Sequence, residues 1–312
     1  MIFRGSTSAN YGADWLSNAR LGLERGPTGS LVHIGFNQIL SSLLPQLKKF
    51  LAEHATTTGT IHCIGHSLGG AVATLVADWL KSHQSNSVKL YSFGAPRVGL
   101  QGFATQLTRK LNSPSVYRVH HRNDPVAMVP VFPYRHAPMP GAGYEIPYGH
   151  GVMSFAAHRV VNYVHSMKRA SWLMLKSRPN PALTDVALQQ WLTSDALDNA
   201  ADPGVWQRAS AALAWVLGKL SVALLAPLQM GFMGAMTLAD RIALVLKRGI
   251  DLSKEVSFWV LRLMRRLTRL LGMKWVDSIS ELTQDLMRWI LSRLIGRMLS
   301  QARQAVRTLI DR

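Results

Sequence analysis

The chain has 312 residues, 48% of them apolar, and a formal net charge of +18. That length holds a sizeable core and room for more than one domain of roughly 100–200 residues. The single cysteine, Cys63, excludes a disulfide-built scaffold and fits a reducing compartment. The basic balance suits anionic partners, and without an interleaved aromatic and basic pattern no nucleic acid is expected, which leaves phospholipid surfaces. The first ten residues, MIFRGSTSAN, lack the apolar run of a signal peptide, so a cytoplasmic or membrane-associated location is expected.

The charge divides the chain. Residues 1–169 hold 16 Lys/Arg against 6 Asp/Glu, residues 170–204 hold 2 against 4, and residues 205–312 hold 17 against 7. In the first part, apolar β-rich runs at 60–64, 88–93 and 115–120 predict strands. Between them, apolar residues at helical spacing predict helices over 36–51, with Pro45 as a kink or boundary, and over 70–83. Strands alternating with helices imply βαβ units and a mostly parallel sheet. Residues 170–204, with Pro179, Pro181 and Pro203, are read as a linker carrying a short helix over 185–192. From residue 205 onward the pattern is helical only.

The segment TIHCIGHSLGGAVATLVADWL contains Gly65-His66-Ser67-Leu68-Gly69, a G-x-S-x-G pattern between an apolar strand and an amphipathic helix. A serine hydroxyl is a poor nucleophile unless it is exposed beside a base. A sharp strand-to-helix turn exposes it, and the flanking glycines leave room for that turn. The helix start also directs amide groups toward developing negative charge. Ser67 is therefore the candidate nucleophile.

Six segments in chain order carry a resemblance: FRGS (3–6), HIGF (33–36), GHSLGGA (65–71), YSFGAPRVG (91–99), YRVHHRNDPVAMVP (117–130) and HRVVNY (158–163). Together they resemble the class 3 lipase family, the fungal-type lipases, over about half the chain. The resemblance implies an α/β-hydrolase fold with a mostly parallel sheet over residues 1–169, followed by a C-terminal helical region over 205–312. Two features depart from the family. Leu100 stands where the family usually has Asn. Phe3 lies two residues from Met1, whereas the family has further elements before it, so one sheet edge is expected to lack its neighbours.

Asp124, in Arg122-Asn123-Asp124-Pro125-Val126, ends an apolar strand and follows Ser67, as the acid of such a site should. By itself it also suits an Asx-turn before Pro125. The base must follow, and His136, His150, His158 and His165 are available. The resemblance implies His158, with His150 in its Gly-flanked loop as runner-up. His66, inside the elbow, is read as structural. For the oxyanion hole the resemblance implies Ser6, by hydroxyl and amide, and the amide of Leu68, with Thr7 as the alternate hydroxyl. The segment after Ser6, with Tyr11, Trp15, Leu16, Leu21 and Leu23, is expected to form either a lid or permanent core packing. No cofactor or metal is needed.

The C-terminal region lies outside the resemblance. Residues 220–239 are uncharged for 20 residues, enough for one bilayer crossing, while Pro227, Gln229, Gly231 and Gly234 make a re-entrant or buried hairpin broken near Pro227 an equal rival. Trp259, Leu263, Leu267 and Leu270 oppose Arg262, Arg265, Arg266 and Arg269. Leu286, Ile290, Leu294 and Met298 likewise oppose Arg293, Arg297 and Arg303. Such helices either lie on an anionic membrane or pack as a soluble bundle. The leading expectation is therefore an enzyme that cleaves carboxylic esters of lipids, acylglycerols or phospholipids, at an anionic membrane surface. The alternatives are a membrane-binding or membrane-disrupting protein with an inactive hydrolase half, and a non-lipid carboxylesterase.

Overall fold

Alternate burial along consecutive short segments builds the centre of the molecule. The computed structural model describes residues 1–5, 22–54, 56, 58–84, 86–149, 153–168, 170–172, 174–175, 180–229, 236–274 and 276–310. Strands β1 (Ile2–Phe3), β4 (Thr60–His66), β5 (Ser87–Phe93), β7 (Val116–His121) and β9 (Tyr144–Ile146) form one sheet in the order β1-β4-β5-β7-β9. Every pairing in it is parallel. In β5, Val88, Leu90 and Ser92 are buried and the residues between them only partly so, the period of two that places alternate side chains on opposite faces.

A second, antiparallel sheet joins β2 (Leu23–Arg25), β3 (Leu31–His33), β6 (Gly99–Leu100) and β8 (Tyr134–Arg135). Strands of two or three residues carry no readable period, and sequence patterning gave no sign of them.

Helix α1 (Ile34–Glu53) runs through Pro45, which the sequence suggested as a kink or boundary. Pro45 lies on the exposed side, where water reaches the carbonyl that the missing amide leaves free. Helix α2 (Leu68–His83) follows the elbow and is buried from Gly69 through Leu80. It packs on β4 and β5, with α1 and then α3 (Gln101–Leu111) against it. Lys81 and His83 in its last turn complement the negative end of the helix. The opposite sheet face carries α4 (Val160–Lys168) and the stacked rings of Tyr91 and Tyr117, 4.7 Å apart.

Residues 205–312 fold onto this frame. Helices α6 (Pro203–Gly218), α7 (Val222–Gln229), α8 (Leu238–Leu252), α9 (Lys254–Leu270) and α10 (Gln284–Ile310) form a bundle. Its buried side chains belong to one hydrophobic cluster that runs from Val32 to Val306. Helix α10 packs directly on the turns Val126–Met128 and Ala156–His158. The segment read as a linker is packed too. Helix α5 (Asp185–Thr193) buries Leu188, Trp191 and Leu192 and packs against α6 and α9.

The apolar stripes of the C-terminal helices turn inward. Leu263, Leu267, Leu270, Ile290, Leu294 and Met298 are all buried. Among the α9 arginines, Arg265 donates to the Val276 carbonyl at 2.9 Å, and Arg266 is buried. These apolar residues therefore pack within a bundle. Within 220–239, α7 stops at Gln229 and α8 starts at Leu238. Among the described residues no helix is long and apolar enough to cross a membrane.

The best-defined tie between 170–204 and the bundle is ionic. Arg266 is 3.5 Å from Asp198, and its guanidinium lies over the Trp191 ring. The Trp191 indole donates to Asp198 at 2.9 Å, and Arg266 donates to the Ala196 carbonyl at 2.5 Å. Removing one partner of a buried pair strands the other charge. Arg266→Met is therefore expected to lower stability by about 3 kcal/mol, measured by urea denaturation. A loss below about 0.5 kcal/mol would mean that the pair behaves as a surface contact.

Candidate active site

The sheet and its helices deliver three side chains to one point. Ser67 sits between β4 and α2 with φ +55° and ψ −129°, a strained conformation for a residue that bears a side chain. Its amide donates to the Phe93 carbonyl at 3.0 Å, and its carbonyl accepts from Gly70 at 2.9 Å. The flanking glycines are a steric requirement. A Cβ at Gly65 would fall 2.1 Å from the Gly69 carbonyl oxygen, and one at Gly69 would fall 2.1 Å from the Phe3 carbonyl oxygen. The strand and helix approach each other closely enough to make the turn because neither residue has a side chain.

Asp124 follows β7, and His158 ends the turn that precedes α4. The His158 Nε2 is 2.8 Å from the Ser67 Oγ, and its Nδ1 is 2.8 Å from the Asp124 Oδ2. All three residues are fully buried. Asp124 is more completely held than the sequence suggested. Its Oδ2 also accepts from the Tyr163 hydroxyl at 2.7 Å, and its Oδ1 accepts from the Val126 amide at 2.9 Å. Burial pushes the carboxyl upward, but His158, Tyr163 and the Val126 amide outweigh it and hold Asp124 below the usual carboxylate range.

Two further histidines fix His158 through the backbone. The His66 Nε2 donates to the His158 carbonyl at 2.7 Å, with the two rings 4.8 Å apart. Burial, aided by repulsion from His158, lowers His66 to about 3, so it is neutral and holds the proton it donates. The His121 Nδ1 donates to the Ala157 carbonyl at 2.6 Å, and its Nε2 accepts from Ser166 at 2.9 Å. The His121 amide in turn donates to the Tyr163 oxygen at 3.0 Å. Sequence reading took His66 as structural and gave neither His121 nor the Tyr163 hydroxyl a role. These contacts join residues 36 to 92 apart in the chain, a separation that local pattern does not encode.

The remaining candidates fall elsewhere. His136 bonds the Ala127 carbonyl at 2.8 Å on the other face of the sheet, and His165 is exposed on α4. His150 lies outside the described residues, as do Ser6, Thr7 and the suggested lid residues Tyr11, Trp15, Leu16 and Leu21. Gly5, just before Ser6, is described, and a Cβ there would be 3.6 Å from the Ser67 Cβ. Leu68 opens α2, so its amide is among the helix-start donors that have no acceptor within the helix. Beside Ser67 opens an apolar cavity of about 510 Å³, lined by Ile2, Phe3, Phe93, Val160, Val164 and Met167. Among the described residues no cluster of side chains is arranged to hold a metal ion.

Residues 1–134 match the family model for lipase (class 3). That stretch contains Ser67 and Asp124, and His158 lies beyond it. A secreted mono- and diacylglycerol lipase 1 of Fusarium solani is 35% identical over 139 residues, covering 43% of this chain and 40% of that protein. The toxin TseL of Vibrio cholerae is 36% identical over 103 residues, covering 33% and 15%. The chloroplastic phospholipase A(1) DAD1 of Arabidopsis thaliana is 29% identical over 150 residues, covering 41% and 32%. The chain thus spans less than half the length of each of these relatives.

The Tyr163 hydroxyl offers a direct test of how the acid is held. A hydrogen bond to a charged group contributes about 1.5–3 kcal/mol, so Tyr163→Phe is expected to destabilise the protein by that amount at pH 7. A carboxyl whose folded value is depressed contributes stability above its unfolded value and loses it as the pH falls through the folded one. The deficit of Tyr163→Phe should therefore shrink below pH ~4. Chemical denaturation at pH 7 and pH 3 gives both numbers, and an unchanged deficit at the two values would contradict the assignment.

Proposed function

We propose, from the match of residues 1–134 to the class 3 lipase family model, that this protein hydrolyses carboxylic esters of lipids through Ser67, His158 and Asp124. The observation that carries the reading is the unbroken contact from Asp124 through His158 to Ser67 beside an apolar cavity. In this reaction the Ser67 Oγ attacks the ester carbonyl as His158 Nε2 takes its proton. Asp124 keeps the Nδ1 proton in place and stabilises the imidazolium. The oxyanion rests on the Leu68 amide and on Ser6, whose neighbour Gly5 lies against the elbow. His158 then gives its proton to the leaving alcohol. Water, activated by the same imidazole, attacks the acyl-serine and frees the acid.

The apolar cavity suits the acyl chain, and the substrates are acylglycerols or phospholipids of the kinds named for the relatives. The mouth of the cavity also favours lipid aggregates over dissolved esters. Ile2, Val160, Val161 and Val164 stand about half or more exposed around it, with Arg4 exposed at the same edge. An apolar rim beside a basic residue on a chain of charge +18 suits an anionic lipid surface. In this reading the catalytic face itself meets the membrane, and the buried stripes of α9 and α10 take no part. A non-lipid carboxylesterase would share the chemistry and lack the preference for aggregates.

Ser67→Ala is expected to reduce kcat on a short-chain ester on the order of 10⁶-fold with an unchanged circular dichroism spectrum. Activity within tenfold of the parent would overturn the assignment. Val160→Asp combined with Val164→Asp is expected to lower the rate on anionic vesicles at least about tenfold through lost apolar contact. Its rate on a dissolved ester should move far less. Equal losses on both substrates would favour the non-lipid esterase.

A further inference from the structure

A second cavity, of about 700 Å³, lies between the sheet and α6, on the sheet face away from α4. Arg97, Arg118, Arg122 and Arg135 line it, with His120 and His136. The acidic residues in its lining are Asp124 and Glu145. Asp124 is committed to His158 and Tyr163, and Glu145 faces the His120 Nε2 at 3.7 Å. The cavity thus concentrates positive charge that the protein's own acids do not match, and the reaction proposed above uses none of it.

The arginines are not equally occupied. Arg97 spends its guanidinium on the carbonyls of Met128 and Pro130 and braces the loop after Asp124. Arg118 gives one bond to the His120 Nδ1 at 3.2 Å, and the Arg135 guanidinium lies over the Phe132 ring, 5.0 Å from its centre. The Nε atoms of Arg118 and Arg135 are both buried without a hydrogen-bond partner among the described residues. Buried donors of this kind are rarely left unmatched. The backbone makes room for one of these groups: a Cβ at Gly143 would fall 2.5 Å from the Arg118 Cζ and from its Nη2. Burial and the neighbouring guanidiniums lower Arg97 to about 9, and burial lowers Arg118 to about 10. Both remain charged at neutral pH, in surroundings that favour a counter-anion.

We propose that this cavity binds a phosphoryl dianion, held by the guanidinium groups of Arg118 and Arg135, at a site separate from that of ester cleavage. A guanidinium presents a planar fork of donors that pairs with two phosphate oxygens at once, and two such forks match a dianion in charge and in donor count. A single carboxylate has too few oxygens and too little charge for both. The volume exceeds that of a bare phosphate, so the ligand is a phosphomonoester, either a small soluble one or the headgroup of a lipid. Ser210, buried on α6, closes the opposite wall.

Calorimetric titration of the full chain with inorganic phosphate, against chloride at matched ionic strength, tests the proposal. Saturable binding is expected, weakened at least about tenfold in Arg118→Gln and in Arg135→Gln, the size of one charge-assisted bond. Ser210→Asp places a carboxylate in the cavity while keeping both arginines, and should abolish binding even where an arginine variant folds poorly. Absence of saturable binding in the parent, or unchanged affinity in Ser210→Asp, would overturn the site. Glycerol 3-phosphate and a water-soluble short-chain phosphatidate then separate the sources. Tighter binding of the first supports a soluble ligand, and tighter binding of the second supports a headgroup.

Discussion

A carboxylate with no contact with water is the constraint on which the rest of this site depends. Asp124 is fully buried, and an ionised carboxyl in such a place is costly unless both its oxygens find donors. Here His158, Tyr163 and the Val126 amide supply them. Each donor is then held by something else. Tyr163 is stacked on His121 with ring centres 4.0 Å apart, and His121 ties down the carbonyl beside His158. His66, from the elbow, ties down the carbonyl of His158 itself. Asp124, His158 and Ser67 are thus parts of one hydrogen-bonded unit, and a change at any of its supports reaches the Ser67 contact.

How much of this was readable in sequence depended on the range of the interaction. The elbow was readable because its steric demand is local: Gly65 and Gly69 lie two residues either side of Ser67 and must be small for a reason the pattern itself states. Asp124 was readable as a strand-end carboxylate, with an Asx-turn as the weaker reading until the resemblance was added. His158 needed that resemblance, since four histidines satisfied chain order. The roles of Tyr163, His121 and His66 had no local signal, because each depends on a residue that is distant in sequence. The second sheet escaped for a different reason: strands of two or three residues are too short for a period to form.

The C-terminal helices show the same limit from another side. A sequence reports that a helix has an apolar stripe, and it does not report what covers the stripe. Leu263, Leu267, Ile290 and Leu294 were compatible with a lipid surface or with a neighbouring helix, and the structure gives them to neighbouring helices. The arginines on the other side are partly drawn in as well: Arg266 is buried against Asp198 and Trp191. A basic amphipathic pattern therefore says less about membranes than its composition suggests, because guanidinium groups also satisfy carbonyls and stack on rings inside a fold.

Packing also changes what the bundle is for. Helix α10 rests on the turn that follows Asp124 and on the turn that carries His158. Those two turns hold Asp124 and His158, and such loops are otherwise free to move over the surface. A 27-residue helix fixes them from one side, while the side that bears Val160 and Val164 stays open and apolar. The two sheet faces then divide the labour. One carries Val160, Val164 and the apolar Ser67 cavity, and the other encloses arginines behind the same strands. Asp124 stands at the boundary, lining the basic cavity while its carboxylate holds His158.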